Sequence, residues 1–184
     1  GTVEPGVFDW FEAPRPEALE QGLAELRSLG LIDPAGFHLT ALGREISGVP
    51  AHPRLGRLLH AAAAEGCLED AAVAAALLGE RPVLRGGASL PEAEALSSDL
   101  LGLVEVVRSA HAAGFDQGFC ESRGVLAGPA RQVWSAARIL LEASRRLGWP
   151  QHRAGDRVTA FGRSVLAAFP DRLARRRDAG TLLC

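Results

Sequence analysis

Apolar side chains recur along this chain every third or fourth residue, and prolines and glycines cut the pattern into short lengths. That combination constrains the fold to stacked short helices. A helix buries one apolar stripe, proline ends it, and glycine supplies the left-handed residue that closes it. Leu19, Leu23, Leu26 and Leu29 fall at i, i+4, i+7 and i+10, so the run entered through Pro14 and Pro16 predicts an amphipathic helix closed by Gly30. Leu31-Ile32-Asp33 and residues 36–40 read as two short strands around a Pro34-Ala35-Gly36 turn. Thr40 is placed to cap a short helix, Ala41 to Ile46, which Gly48 and Pro50 stop. A helix followed by a small hairpin is how a winged helix ends.

Beyond Pro53 the pattern becomes helices with brief breaks. Arg54 to Ala64 and Leu68 to Leu78 predict a helical hairpin hinged at Gly66, with Leu55, Leu58, Leu59 and Ala62 as one stripe. Residues 80–97 hold Pro82, Gly86, Gly87 and Pro91 without periodicity and read as an exposed connection. Asp99 is expected to cap a helix through His111, and residues 114–128 read as irregular. Pro129 to Leu147 is the longest helix, and a last one spans about Val158 to Ala168. The expected fold is mainly α: a winged-helix-like domain with a small β-hairpin over 1–48, followed by a helical bundle over 49–184.

No apolar run approaches the roughly 18–20 residues that span a bilayer, so no membrane partner is expected and the setting reads as cytoplasmic. An opening Gly1-Thr2-Val3 without Met reads as part of a longer protein. Cys67, Cys120 and Cys184 are odd in number and widely spaced, which suits reduced thiols better than disulfides or zinc. All 20 basic residues are Arg, while Lys, Met, Tyr and Asn are absent, which looks like coding bias rather than chemistry. A phosphate-cradling loop needs glycines ahead of a helix with a Lys and a Ser or Thr; with no Lys, and with Gly86-Gly87 in no such setting, none exists here. Cys120, His111 and Asp116 lie close in sequence, but catalytic triads are assembled by tertiary fold, so nearness assigns them nothing. No catalytic residue, cofactor site or metal site is assigned within this chain.

The net charge of −2 means that binding to phosphate would rest on a local cluster. Arg131, Arg138 and Arg145 stand seven apart on the longest helix with Arg146 adjacent, so they form one stripe drifting by about 20° per step. A strand of phosphates fits along such a stripe; the alternative is a solvated polar face opposite Val133, Ala137, Leu140, Leu141 and Leu147. Arg172, Arg175, Arg176 and Arg177 form a second cluster, read at the end of the last helix, where the macrodipole also favours cations. His52, Arg54 and Arg57 form a third patch. Trp134, Trp149 and Phe37 are the side chains that could offer stacking surfaces to bases. Phe8, Trp10 and Phe11 suit packing on another protein surface.

Phe8-Asp9-Trp10-Phe11-Glu12-Ala13-Pro14, Leu39-Thr40-Ala41-Leu42-Gly43-Arg44, His52-Pro53-Arg54-Leu55 and the Phe169-Pro170-Asp171-Arg172-Leu173-Ala174-Arg175-Arg176-Arg177 stretch occur in an order that resembles the region following the motor in HrpB-type bacterial DEAH helicases. Gly79-Glu80-Arg81-Pro82-Val83-Leu84-Arg85-Gly86 and Ser98-Asp99-Leu100-Leu101 fit the same pattern. The resemblance implies a degenerate winged helix followed by a helical ratchet domain. It also implies a parent enzyme whose two RecA-like domains use ATP and Mg to pull one strand. The expected partners are single-stranded nucleic acid, RNA rather than DNA, and those motor domains. The family's catalytic residues have no counterparts here.

Overall fold

The computed structural model describes residues 5–79, 82–86, 98–149 and 155–173, and the backbones of two short strands beyond them. The fold is mainly helical. Helix α1 (Pro16–Ser28) begins on a proline whose missing N–H costs nothing there. It closes through Gly30 at φ 71°, with the Leu31 N–H donating to the Leu26 carbonyl (2.9 Å) and Gly30 N–H to Arg27 (2.9 Å). The expected hairpin shrinks to a single antiparallel bridge between Ile32 and Leu39, flanked by Asp33 N–H to the His38 carbonyl (2.9 Å). A short pair with no third strand beside it among the described residues has little to extend it. Thr40 then joins two elements: its hydroxyl donates to the Gly30 carbonyl (2.7 Å) and accepts from Gly43 N–H (3.0 Å), which starts α2 (Ala41–Ile46).

Helices α3 (Pro53–Glu65) and α4 (Leu68–Gly79) make the expected hairpin, turned by Gly66 at φ 79°. Helix α4 is buried on nearly every side because Ala71, Ala72, Ala74, Ala75 and Ala76 let its neighbours approach closely. Around it lie α3, α5 (Asp99–Ala112) and α7 (Ala127–Arg146), and α8 (Arg157–Ala168) covers the far side of α3. Leu58 and Leu59 are fully buried, each contributing roughly 2–3 kcal/mol. One hydrophobic cluster runs from Leu29 through α3 and α4 to Ala168.

Four expectations change. The connection expected to be exposed over 80–97 is docked where it is described: Val83 is buried, Leu84 bridges Val125, and Leu126 N–H donates to the Val83 carbonyl (2.7 Å). Residues 80–81 and 87–97 lie outside the described residues. Ser98 rather than Asp99 caps α5, its hydroxyl accepting from Leu101 N–H (3.2 Å). The segment read as irregular contains α6 (Gln117–Ser122), capped by Asp116, whose carboxylate accepts from Phe119 N–H (2.8 Å). Finally, the chain after α8 does not continue as a basic helix end. Proline at 170 keeps Phe169 out of the helical region (φ −130°, ψ 54°). A 3-10 turn (Pro170–Arg172) follows, and then β1 (Arg175–Asp178) pairs antiparallel with β2 (Thr181–Leu183).

Candidate nucleic-acid interface

Helix α7 turns Val133, Ala137 and Leu140 inward and leaves Arg131, Arg138, Arg145 and Arg146 exposed. Seven residues of helix rise by roughly 10 Å, which sets the step of the stripe. Its members differ in what they touch. Arg138 pairs with Glu142 one turn on (3.5 Å), and Arg145 reaches Glu69 on α4 (2.9 Å). Arg146 donates from Nε to the Glu142 carbonyl (3.4 Å), while Arg131 lies over the Phe115 ring, 5.3 Å from its centroid. Arg131 and Arg146 therefore have no carboxylate partner among the described residues, and the stripe is most strongly cationic at its ends. Exposed pairs of this kind are worth about 0.2–1 kcal/mol, so a phosphate competing for Arg138 or Arg145 faces only a modest cost.

The second cluster is divided. Arg172 is exposed, 3.5 Å from Asp171. Arg175, Arg176 and Arg177 stand on β1 rather than on a helix end, so the macrodipole has no bearing on them, and their side chains lie outside the described residues. In the third patch, Arg54 is committed to the fold. Its guanidinium joins Glu25 on α1 (2.5 Å) and Asp171 beyond α8 (2.5 Å), and lies 5.6 Å from the Phe169 ring centre. The hydrogen bond from Arg54 holds the Asp171 carboxyl below the usual carboxylate range. Arg57 beside it is half-buried, and desolvation lowers its guanidinium from its ordinary value. His52 caps α3, its ring Nδ1 accepting from Arg54 N–H (3.3 Å). Arg157 binds buried Asp70 (2.6 Å) and also Glu105, and Arg108 joins Asp70 (3.1 Å), a network that ties α8, α5 and α4 together.

An aromatic cluster lies beside the first turns of α7, and sequence reasoning named only part of it. His111, near the end of α5, stacks on Trp134 of α7 with centroids 3.9 Å apart and planes 20° apart. Phe115 meets His111 edge-on (5.7 Å) and carries Arg131 on its face. Arg123 lies over Phe119 (5.0 Å), and both phenylalanines pack on the small core of Val106, Ala110, Cys120, Val125 and Ala130. Phe115 is held at φ 57°, a conformation that costs a bulky side chain about 1 kcal/mol or more. Of the expected stacking surfaces, Trp134 is half-buried with one ring neighbour in place, Phe37 is exposed, and Trp149 is buried against His60 and offers none. Sequence reasoning does not name Phe115 and weighs His111 for chemistry beside Cys120 and Asp116, not as a stacking ring; the two lie four apart across a turn without helical periodicity, so no pattern points to a stack.

Asp116 caps α6, His111 stacks on Trp134, and Cys120 is buried beneath, so each member of the thiol trio has a structural role. The described residues build no glycine loop of the kind that cradles a nucleoside triphosphate. The left-handed glycines among the described residues, Gly30, Gly66, Gly114, Gly124 and Gly148, all follow helices rather than open them, and no Lys is present. Among the described residues no helix is long and apolar enough to cross a membrane. On another face, Phe8, Trp10, Leu19, Leu23, Leu26 and Pro53 line an apolar groove of about 610 Å³ along α1, with Phe11 fully exposed nearby.

No protein-family model matches the chain. It is similar to the human protein named ATP-dependent RNA helicase homolog DQX1, with 30% identity over 155 residues, 80% of this chain and 22% of that protein. It is similar to the Escherichia coli ATP-dependent RNA helicase HrpA, 32% identical over 98 residues covering 48% of this chain and 8% of that protein. It also matches the yeast protein named probable ATP-dependent RNA helicase DHR2, 41% identical over 63 residues, 34% of this chain and 8% of that protein. The chain thus spans about a fifth of the length of the first of these relatives.

Proposed function

We propose that this chain is the accessory region of an ATP-dependent RNA helicase of the HrpB-type DEAH branch, a winged-helix-like part over 1–48 and a ratchet-like helical part over 49–184. It would guide single-stranded RNA leaving a RecA-like motor that supplies ATP and Mg chemistry elsewhere in the parent protein, in the cytoplasm. The similarity to a protein named as an ATP-dependent RNA helicase homolog across 80% of the chain, and to proteins named as RNA helicases over shorter stretches, carries the reading. The exposed Arg131 and Arg146 on α7, with no carboxylate beside them among the described residues, support it as phosphate ligands; Arg138, Arg145, Arg172, Arg175, Arg176 and Arg177 are the further candidates. Phosphate contacts carry no base readout, so the binding should be sequence-tolerant.

The test is fluorescence anisotropy of a labelled single-stranded RNA over a salt series. Each phosphate contact contributes about 0.7 to the logarithmic slope, so Arg131→Ala with Arg146→Ala should lower it by about 1.4. Arg138→Ala with Arg145→Ala, which also releases Glu142 and Glu69, should lower it less. Absence of binding by the unaltered chain at low salt would overturn the reading.

The groove along α1 favours a second reading, a module that docks the motor or an activator without holding RNA itself. In the full-length protein, Phe8→Ser with Trp10→Ser would then abolish stimulated ATP hydrolysis while leaving strand affinity at the wild-type level.

A further inference from the structure

The stack at the start of α7 has a buried end and an open end. Trp134 is half-buried, whereas His111, lying nearly parallel to it at 3.9 Å, is exposed and makes no side-chain hydrogen bond among the described residues. A ring held flat against an indole and presented to solvent is a surface on which a further flat ring can continue the stack. Beside it, Arg131 rests on Phe115 with no carboxylate partner among the described residues, so a cation stands next to the open ring. Phe115, which holds both neighbours, does so from a left-handed backbone that a bulky residue adopts only when its surroundings impose it. Aromatic surface and unneutralised cation at adjacent points match the two faces of a nucleotide, its base and its phosphate.

We infer that His111, Phe115 and Arg131 form a seat for one unpaired nucleobase, with His111 as the stacking ring and Arg131 as the ligand of the adjoining phosphate. The seat rests on the strand-guiding reading and adds a fixed point to it. The stripe alone tolerates sliding, whereas a stacked base registers the strand at the Arg131 end of α7. Every base has a π face, so the seat selects unpaired over paired nucleotides rather than one sequence over another.

The experiment measures affinity of the 184-residue chain for two labelled probes of equal length and charge, a single-stranded oligoadenylate RNA and an abasic oligomer. One stack should make the RNA bind about tenfold tighter. His111→Ala should bring that ratio to about one with the salt slope unchanged, and His111→Phe, which keeps a ring, should restore it. Arg131→Gln should weaken both probes and lower the slope by about 0.7 while preserving the ratio. Thermal melts of each variant establish that the fold is intact. Equal binding of both probes by the unaltered chain, or a ratio that survives His111→Ala, overturns the seat and leaves the strand-guiding reading standing. Binding of neither probe overturns both.

Discussion

Phe115 is where a single backbone angle has the largest consequence. Because its φ is 57°, a residue without a β-carbon relieves strain there, although both small replacements lose the ring and its packing. Phe115→Gly should therefore be more stable than Phe115→Ala by about 1 kcal/mol in urea denaturation, the reverse of their order inside a helix. Asp171 gives a prediction in pH. The hydrogen bond from Arg54 depresses its folded pKa, so the unfolded chain takes up the proton first on acidification. The contact's stability is complete above the unfolded value near 4 and is lost as pH falls through the folded value. Asp171→Asn should accordingly lower Tm at neutral pH, with the gap from wild type closing below about pH 4.

At the scale of elements, two glycines separate packing from propensity. A β-carbon on Gly43 of α2 would lie 2.0 Å from the Leu31 carbonyl oxygen, so Gly43→Ala must push α2 off the end of α1 and should cost about 1–3 kcal/mol. Gly22 in α1 has nothing within 4 Å of such an atom, and Gly22→Ala should raise stability by about 0.5–1 kcal/mol. Chemical denaturation of the two variants side by side checks both signs. The elements that were legible beforehand are those specified locally: Pro16, Gly30, Thr40 and Gly66 mark helix ends by chemistry acting within a few residues. What escaped depends on distant partners. Val83 is buried beside the backbone bridge from Leu84 to Val125, and Arg145 is paired by Glu69, 76 residues away. Helix α6 escaped for a different reason: six residues are too few to display a period, and Asp116, unlike Thr40 ahead of the equally short α2, is not read as a cap in the sequence.

The molecule as a whole is tied across its length. Its main core takes in Leu29, Leu31, Ile46 and Val49 as well as α3, α4 and α8, and Arg54 joins α1 to the turn after α8. Unfolding should therefore occur as one cooperative step despite the division read near residue 49, with calorimetric and van't Hoff enthalpies equal and no separate melting of the first part. The three indoles are distributed over this body in a way that serves spectroscopy. No Tyr is present, so near-ultraviolet emission comes from Trp10, Trp134 and Trp149 alone. Trp149 sits at 6% exposure against His60, Trp10 at 43% on the groove, and Trp134 behind the stacked His111. The chain thus carries an internal reference, a dye for the docking face and a quenchable chromophore for the strand face, and no external label is needed to tell which surface an incoming partner has covered.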